Sequence, residues 1–412
     1  MPAPKITEKT DGYLLEWTDQ HIKISTSRIH IHKDGRVTGE LIITTDDKKL
    51  SPILMPSTQL NFSAERTRTS LIKNLSEKYQ QFEWNTIIDQ LAHYIQELVR
   101  KGEPVKELWT SADVKSPEYL LEPFIYKRLP NVIYGEKAVN KSTTLLVFYT
   151  CLILPWTDNP LELKVPDRSI KSLILDWEAD EDIVQYQAKA LQTAMNLPPF
   201  AVNYRRCALP LADDLEQIQG HINSIGAEAI FIDSLGAAAG GDLKAPEIAL
   251  NFFTALRRLK TSSLIIAQTS KDETTKRKRM FGTVFFEYYA RNIWELCKSE
   301  SISDNEYDIA LFHRSPNLSA VLKPIAFHLH YNETGLSIER TSVDIKEFKT
   351  RISSTVKVLD ALKEGALSPE EISDRTDLPV NTIRVCLSRL KKKEKVVDLE
   401  RGKWGLRADE LL

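Results

Sequence analysis

A phosphate-binding pattern stands at residues 135–142. The residues read Gly-Glu-Lys-Ala-Val-Asn-Lys-Ser, and they match the P-loop at its first glycine, its lysine and the serine that follows. Such a loop aims backbone N–H groups and a helix N-terminus at negative charge. In this role Lys141 contacts the terminal phosphates and the Ser142 hydroxyl ligates Mg²⁺. The pattern predicts nucleotide contacts from Gly135, Glu136, Lys137, Ala138, Val139, Asn140, Lys141, Ser142 and Thr143.

The loop departs from the P-loop pattern at one position, because Asn140 stands where the second glycine is usual. Asparagine is among the few residues that tolerate a left-handed backbone. Asn140 is therefore predicted to hold the glycine's conformation. The competing interpretation is a surface turn between a strand and a helix that carries an accidental Lys-Ser pair.

Further apolar runs end in side chains that an ATP-hydrolysing site requires. Asp233 and Gln268 each follow a run of apolar residues, and an earlier run ends with Asp176 and Glu178. In an open α/β sheet, ligands bind outside the carboxyl ends of the strands. In chain order the four strand ends carry Lys/Ser, Glu, Asp and Gln. This order predicts one site that binds and hydrolyses a nucleotide.

Asp176 and Glu178 compete for the role of catalytic base. Alternation along a strand turns both side chains toward the same face, but Glu178 lies further out toward the predicted site. Glu178 is the preferred base and Asp176 is its rival. A purely structural alternative places Glu178 beside the N-cap of the next helix.

The elements that must position these residues form an α/β fold. Between residues 129 and 268, short apolar strands alternate with helical stretches, which is typical of a mostly parallel sheet covered by helices. Beyond residue 291, strand-like runs predict that antiparallel hairpins extend the sheet. The strands are expected at residues 131–134, 172–177, 202–206, 229–233 and 263–268, then at 291–296, 307–312 and 326–331.

Smaller modules are predicted on either side of this core. Residues 12–45 alternate polar and apolar side chains around Asp34-Gly35, which indicates an antiparallel β-hairpin. Near the C-terminus, Ser368 and Glu371 form a capping-box pattern that opens a helix. The predicted division is a β-rich module at 1–62, a helical connector at 63–120, the core at 121–343, a charged linker near 344–351, and a module of helices and a hairpin at 352–412.

Residues 121–339 resemble the RecA-like ATPases, in particular the RepA-type hexameric helicases of plasmids and phages. The resemblance lies in the loop at 135–142, in the segments 175–178, 231–234 and 268–271, and in Gly282 with residues 290–294. It implies a RecA-like core, ATP with Mg²⁺, and a homo-oligomer that is expected to be a hexamer. The resemblance further implies a role for each residue of the site. Glu178 is expected to polarise the attacking water, Asp233 to hold the magnesium shell with Ser142, and Gln268 to sense the γ-phosphate.

The resemblance also implies an arginine that reaches the γ-phosphate of a neighbouring subunit. Such an arginine finger is worth about 10³–10⁵ in rate. Arg314 is the first candidate and Arg291 the second, while either could equally be a solvated surface arginine. For Arg205 and Arg206, an ordinary salt bridge is preferred over a role at a subunit interface.

Contacts with DNA are expected at two places. The basic residues Lys276, Arg277, Lys278 and Arg279 follow the Gln268 strand, where the resemblance implies a loop that lines a channel for single-stranded DNA. The C-terminal module resembles winged helix-turn-helix domains, whose second motif helix enters the major groove of duplex DNA. Its candidate contacts are Arg384, Arg389 and Lys391. Winged helices also dock proteins, which is the alternative for this module.

Composition limits the remaining classes of function. The net charge of −2 gives no global basic field, so nucleic-acid contacts must come from local patches. The four cysteines are far apart in the sequence, which argues against a zinc site or disulfide framework and fits a reducing cytoplasm. The longest apolar run, residues 145–155, is too short to span a bilayer and predicts a buried helix. No membrane partner is expected.

Two hypotheses follow for the whole chain. The first is an oligomeric, ATP-hydrolysing DNA-binding protein, a replicative helicase-like motor of a mobile element. The second is a non-motor, ATP-gated DNA-binding switch or regulator with weak or no hydrolysis. The set of Glu178, Asp233 and Gln268 favours the first hypothesis, and the glycine-poor loop and the winged helix favour the second.

Overall fold

The computed structural model describes most of the chain in two compact units. The described residues are 2–32, 34–102, 105–110, 116–270, 279–299, 303, 305–316, 321–333, 335–342, 354–363, 365–399 and 402–407. One unit combines Met1–Glu118, Ala208–Ala227 and Leu250–Thr261, and the other combines Tyr119–Cys207, Glu228–Ala249 and Ser262–Leu412.

The first unit contains the predicted N-terminal β module. Its antiparallel sheet has the strand order β1 (Lys5–Lys9), β2 (Gly12–Trp17), β3 (Ile22–Ile31), β4 (Val37–Thr45) and β5 (Ile53–Asn61). Gly35 turns between β3 and β4 with a φ of 83°, a left-handed value that glycine adopts without strain. The hairpin predicted at Asp34-Gly35 is confirmed.

Two helices complete the hydrophobic core of this sheet. They are α1 (Glu65–Lys78) and α2 (Trp84–Lys101), and α2 buries an apolar face that includes Ile87, Leu91 and Ile95. Side chains of the sheet and of both helices share one buried cluster. The indole of Trp17 also donates a hydrogen bond of 2.7 Å to Gln90. Residues 5–61 and the two helices therefore fold as one body.

The second unit is built on a nine-stranded sheet. Its order is β10-β9-β11-β12-β8-β13-β14-β15-β16, and all neighbours from β10 to β13 are parallel while β13 to β16 are antiparallel. The strands are β8 (Pro130–Gly135), β9 (Ser172–Asp176), β10 (Tyr204–Arg206), β11 (Ala229–Asp233), β12 (Ser262–Gln268), β13 (Asn292–Lys298), β14 (Glu306–Pro316), β15 (Ile325–Asn332) and β16 (Gly335–Thr341), preceded by the small pair β6 (Tyr119–Leu121) and β7 (Ile125–Tyr126). The predicted parallel sheet with an antiparallel extension is confirmed.

Helices connect the parallel strands, as the alternation in the sequence predicts. They are α3 (Lys141–Ile153), α4 (Glu181–Ala194), α5 (Leu215–Ile225), α6 (Leu235–Ala239), α7 (Pro246–Leu259) and α8 (Phe285–Tyr289). Every residue of α3 from Thr144 to Leu152 is buried, so the apolar run does form a buried helix. Within the described part of the chain, no helix combines the length and the apolar character needed to cross a membrane. The α/β class of the core is confirmed.

The C-terminal segment has the predicted order of elements. Its helices are α9 (Ser354–Lys363), α10 (Pro369–Thr376) and α11 (Val380–Lys392), followed by β17 (Val396–Asp398) and β18 (Trp404–Leu406). The capping box forms, because Ser368 Oγ accepts from the Glu371 N–H at 3.1 Å and Glu371 accepts from the Ser368 N–H at 2.7 Å. These elements share a separate apolar cluster. The charged linker predicted at 344–351 lies outside the described residues.

Candidate active site

The phosphate-loop candidate joins β8 directly to α3. Gly135 closes the strand, and a Cβ atom there would lie 2.6 Å from the carbonyl oxygen of Leu296 and 2.9 Å from Val139. Real Cβ atoms do not approach backbone oxygens so closely, which makes glycine necessary at this position. Lys141 then opens α3. The local order of strand, turn and helix is the one that the sequence pattern requires.

Asn140 has the predicted left-handed backbone. Its φ is 65° and its ψ is 38°. Its carbonyl oxygen accepts from the Thr144 N–H at 2.9 Å and from the Thr144 hydroxyl at 2.8 Å. The helix therefore begins immediately after a residue in the conformation that glycine usually supplies.

The Lys141 ammonium lies across the loop. It donates to the carbonyl oxygens of Gly135, at 3.1 Å, and Glu136. Burial lowers the pKa of Lys141, and the nearby carboxylates of Asp233, Glu178 and Glu136 oppose that shift. The cation is thus held between the loop and a group of acids, where it can contact a bound phosphate.

Asp233 meets the first turn of α3 at the end of β11. Its carboxyl group is buried, and this burial raises its pKa to about 6, while a hydrogen bond from the Ser142 hydroxyl acts in the opposite direction. The two residues predicted to hold a magnesium ion are therefore in contact with each other.

Asp176 and Glu178 have different surroundings. Asp176 Oδ1 accepts from the backbone N–H groups of Glu178 at 2.7 Å and Ala179 at 2.9 Å, and burial raises the pKa of Asp176. The Glu178 carboxylate instead accepts a hydrogen bond from the Ser234 hydroxyl. Asp176 fixes the turn after β9, whereas Glu178 extends toward the end of β11. This geometry favours Glu178 as the base.

Gln268 stands beside the loop. It ends β12 in register with Gly135 of β8, and its side chain is exposed. The next residue, Thr269, donates its N–H to the Gly135 carbonyl at 3.2 Å. The ends of β8, β9, β11 and β12 thus bring the predicted residues to one edge of the sheet.

The two candidate arginine fingers lie elsewhere in the same chain. Arg314 forms a two-bond ion pair with Glu295 at 2.7 and 2.6 Å, and the two side chains are only 13% and 2% exposed. Arg291 precedes β13 and donates its N–H to Pro130, so it lies at the opposite end of the parallel strands, about 17 Å from the level of Gly135 at ~3.3 Å per residue. Their action on a neighbouring subunit stays a prediction.

Arg206 forms the ordinary salt bridge that the sequence predicts for this segment. Its guanidinium pairs with Asp180, just before α4. Arg206 ends the edge strand β10, and Asp180 is the N-cap residue of α4. The ion pair therefore ties the edge of the sheet to its covering helix.

The predicted DNA-binding residues are only partly described. Lys276, Arg277 and Lys278 lie outside the described residues, while Arg279 is exposed and its carbonyl accepts from the Ser270 N–H at 2.9 Å. In the C-terminal segment Arg389 is exposed. Two further candidates form ion pairs of 2.9 Å, Arg384 with Glu370 and Lys391 with Asp398. Exposed pairs of this kind are worth less than about 1 kcal/mol, so a phosphate can replace the acid.

Comparison with known proteins agrees with this geometry. Residues 97–274 match the family model described as AAA domain. That segment is similar to AAA domains. The match covers less than half of the chain and, with the loop and the strand ends that it contains, it supports a P-loop ATPase domain. No curated protein matches the chain. Among the solved structures that match is a KaiC-like protein from the hyperthermophilic archaeon Pyrococcus horikoshii OT3, with 14% identity over 57% of this chain and 99% of that one, at a TM-score of 0.36.

Sequence reasoning missed three side chains of this site. Ser234 follows Asp233 directly, so its position next to a predicted site residue could have indicated its contact with Glu178. Tyr307 and Tyr331 had none, because they contact Asn140 from 167 and 191 residues away. Hydroxyl groups on distant strands leave no spacing pattern around the loop.

Replacing Lys141 with alanine tests the loop. We expect Lys141→Ala to weaken ATP binding about 10- to 100-fold, since a charged hydrogen bond is worth about 1.5–3 kcal/mol. Isothermal titration calorimetry measures the affinity, and circular dichroism confirms the fold. Lys189→Ala is the matched control, because Lys189 is an exposed lysine of α4 outside the loop. Equal ATP affinity in the wild type and in Lys141→Ala would overturn the phosphate-loop assignment.

Replacing Arg314 distinguishes a structural role in the Glu295 ion pair from a role as an arginine finger. Removing one partner of a buried ion pair costs about 3–5 kcal/mol, so Arg314→Ala should lower the free energy of unfolding by about 2–3 kcal/mol, given the partial exposure of the arginine. The double variant Arg314→Met/Glu295→Leu should recover most of this loss in a denaturant titration. Unchanged stability of Arg314→Ala, with ATPase activity lost only in assembled protein, would instead support the arginine finger.

Proposed function

We propose that this chain is an oligomeric, ATP-hydrolysing DNA-binding protein that works as a replicative helicase-like motor of a mobile element. The observation that carries the hydrolytic part is the convergence of Lys141, Ser142, Asp233, Glu178 and Gln268 at one edge of the parallel sheet. A phosphate-binding loop, a carboxylate for the metal shell, a base and an amide sensor are the parts that phosphoryl transfer to water requires.

The residues at the loop fit Mg²⁺ bound together with ATP. Magnesium prefers oxygen ligands and keeps several waters, so it is usually held by one or two protein groups and the substrate phosphates. Ser142 and Asp233 supply a hydroxyl and a carboxylate in contact with each other. No group of three or more His, Cys, Asp or Glu suited to a metal occurs in the described part of the chain. When bound, the ion offsets negative charge on the phosphates.

Each side chain has a distinct task in this proposal. Lys141 exchanges its loop carbonyls for phosphate oxygens. Glu178, oriented by the Ser234 hydroxyl, accepts a proton from the attacking water. Asp176 holds the turn that carries Glu178 through two backbone N–H groups. Gln268 contacts the γ-phosphate from the neighbouring strand end.

Conservative amides at the two acids test this division of tasks. Glu178→Gln should keep ATP bound and slow hydrolysis about 10²–10⁴-fold, the typical contribution of a general base. Asp176→Asn should have a smaller effect on turnover at saturating ATP, because it only weakens the turn. Steady-state kinetics with parallel binding measurements distinguish the two. A larger loss of turnover in Asp176→Asn would assign the base to Asp176.

A surface for single-stranded DNA is proposed just beyond Gln268. Arg279 is exposed there, and Phe281, Phe285 and Tyr288 follow with 39%, 37% and 66% of their surface exposed. Aromatic faces on which bases stack, combined with cations for the backbone, are the usual components of sequence-independent binding to single strands. The basic sequence of the preceding residues adds charge to the same segment.

The C-terminal helices and hairpin are proposed as a winged helix that binds duplex DNA. The order α9, α10, α11 and then a hairpin suits this assignment, with α11 as the helix that enters the major groove. Exposed basic side chains follow α11 toward its C-terminal end: Arg384, Arg389, Lys391, Lys392 and Lys393.

An ATP-gated DNA-binding switch is the second candidate function. The observation that favours it is the presence of Asn140 at the position of the second P-loop glycine, which has no side chain. A loop that binds ATP but positions the γ-phosphate poorly would control assembly without supporting rapid turnover. ATPase activity that single-stranded DNA does not stimulate would favour this candidate over the motor.

The two proposed DNA contacts should separate by mutation. Neutralising Lys276, Arg277, Lys278 and Arg279 should weaken single-strand binding for all sequences and reduce its salt slope by about 0.7 per lost phosphate contact. It should also abolish DNA-stimulated ATPase activity. Truncation after Ser342 should preserve that stimulation and reduce duplex binding. Fluorescence anisotropy across a salt series measures both affinities, and duplex binding that survives truncation would assign the C-terminal segment to protein docking.

A further inference from the structure

The side chain of Asn140 is held by two tyrosines from the antiparallel part of the sheet. Its Nδ2 donates to the Tyr307 hydroxyl at 2.5 Å and to the Tyr331 hydroxyl at 2.6 Å. Tyr307 lies on β14 and Tyr331 on β15. Both N–H bonds of the amide are therefore used, and they hold the side chain against β14 and β15.

An asparagine at the position of Asn140 would ordinarily cap the helix with its side chain. It occupies the N-cap position of α3, and asparagine is among the best N-cap residues, with an extended backbone and a side-chain oxygen that accepts from an N–H of the first turn. Here the backbone is left-handed and the side chain makes no capping hydrogen bond. Those N–H groups are the ones that a phosphate uses at a helix N-terminus.

The tyrosine pair is itself firmly placed. Tyr307 is 6% exposed, its ring stacks on that of Tyr331 with centroids 6.0 Å apart, and the Lys298 ammonium lies 3.5 Å from the Tyr307 centroid. Burial raises the pKa of Tyr307 above its ordinary value, so its hydroxyl stays protonated at neutral pH. The pair can therefore restrain the loop without moving itself.

We propose that Tyr307 and Tyr331 form a tyrosine clamp that positions the phosphate loop through Asn140. The clamp supplies what the second glycine supplies elsewhere: it keeps residue 140 left-handed and keeps the Asn140 side chain from capping α3, so that the helix N–H groups stay open to phosphate. This inference rests on the proposed binding of ATP at the loop. Without the clamp, Asn140 relaxes to the extended backbone, caps α3 and competes with the nucleotide.

The proposal makes the tyrosines necessary only when residue 140 is asparagine. The test is a cycle of full-length variants: wild type, Tyr307→Phe/Tyr331→Phe, Asn140→Gly, and the combination of all three substitutions. The probe is a non-hydrolysable ATP analogue with Mg²⁺, titrated by calorimetry. Removing two neutral hydrogen bonds should weaken binding about ten-fold in the wild-type background. With Asn140→Gly, the same two substitutions should change affinity less than about two-fold, the usual limit for independent sites.

A matched control removes a hydroxyl elsewhere in the same core. Tyr149 lies on α3, and its hydroxyl accepts from the Asn203 N–H at 2.9 Å. Tyr149→Phe should have the same effect with and without Asn140→Gly. Circular dichroism checks the fold of each variant. If the double phenylalanine variant does not fold, Tyr331→Phe alone carries the comparison, because Tyr331 is only half-buried.

The outcomes separate the clamp from the proposed function. A loss confined to the asparagine background supports the clamp. Equal losses in both backgrounds, or no loss in either, overturn the clamp while leaving ATP binding in place. A wild-type chain that does not bind the analogue overturns the proposed function, and the clamp with it.

Discussion

Burial of the parallel strands on both faces is the constraint on which the site depends. Every residue of β9 and β11 is buried, so these strands can carry only side chains that tolerate an apolar interior. In these two strands the carboxylates stand at the carboxyl ends, Asp176 in β9 and Asp233 in β11. Because parallel strands all point the same way, their carboxyl ends meet at one edge. The register then fixes the neighbours, with Asp233 beside Asp176 and Gln268 beside Gly135.

The same burial sets the charge balance of the site. One ammonium, that of Lys141, faces the carboxylates of Asp233, Glu178 and Glu136. Desolvation raises the pKa of Asp233 to about 6 and also raises that of Asp176. A nucleotide would add several negative charges to this edge. The divalent cation proposed at Ser142 and Asp233 would offset part of that negative charge.

The fold and the strand ends were predictable because they rest on local patterns. Alternation of apolar strands with helical stretches predicted the sheet, and the apolar run after Lys141 predicted a buried helix. Asn140 adopts the left-handed conformation expected of it. The partner of Arg314 was not predictable. Glu295 lies on the adjacent strand β13, and a pairing across strands depends on register, which single-sequence periodicity does not specify. The clamp escaped prediction for a similar reason, since it joins the phosphate loop to two strands that lie 167 and 191 residues further along the chain.

The glycine that precedes the lysine of a P-loop satisfies two physical requirements. The chain must turn through a left-handed residue, and the N–H groups at the start of the helix must stay open to an anion. A glycine meets both requirements within the loop itself. Asparagine tolerates the left-handed backbone, but it introduces a side chain that is well suited to capping the helix. The second requirement must then be met from outside the loop. The two tyrosine hydroxyls meet it from β14 and β15, so the antiparallel extension of the sheet takes part in forming the site and does more than cover an edge strand.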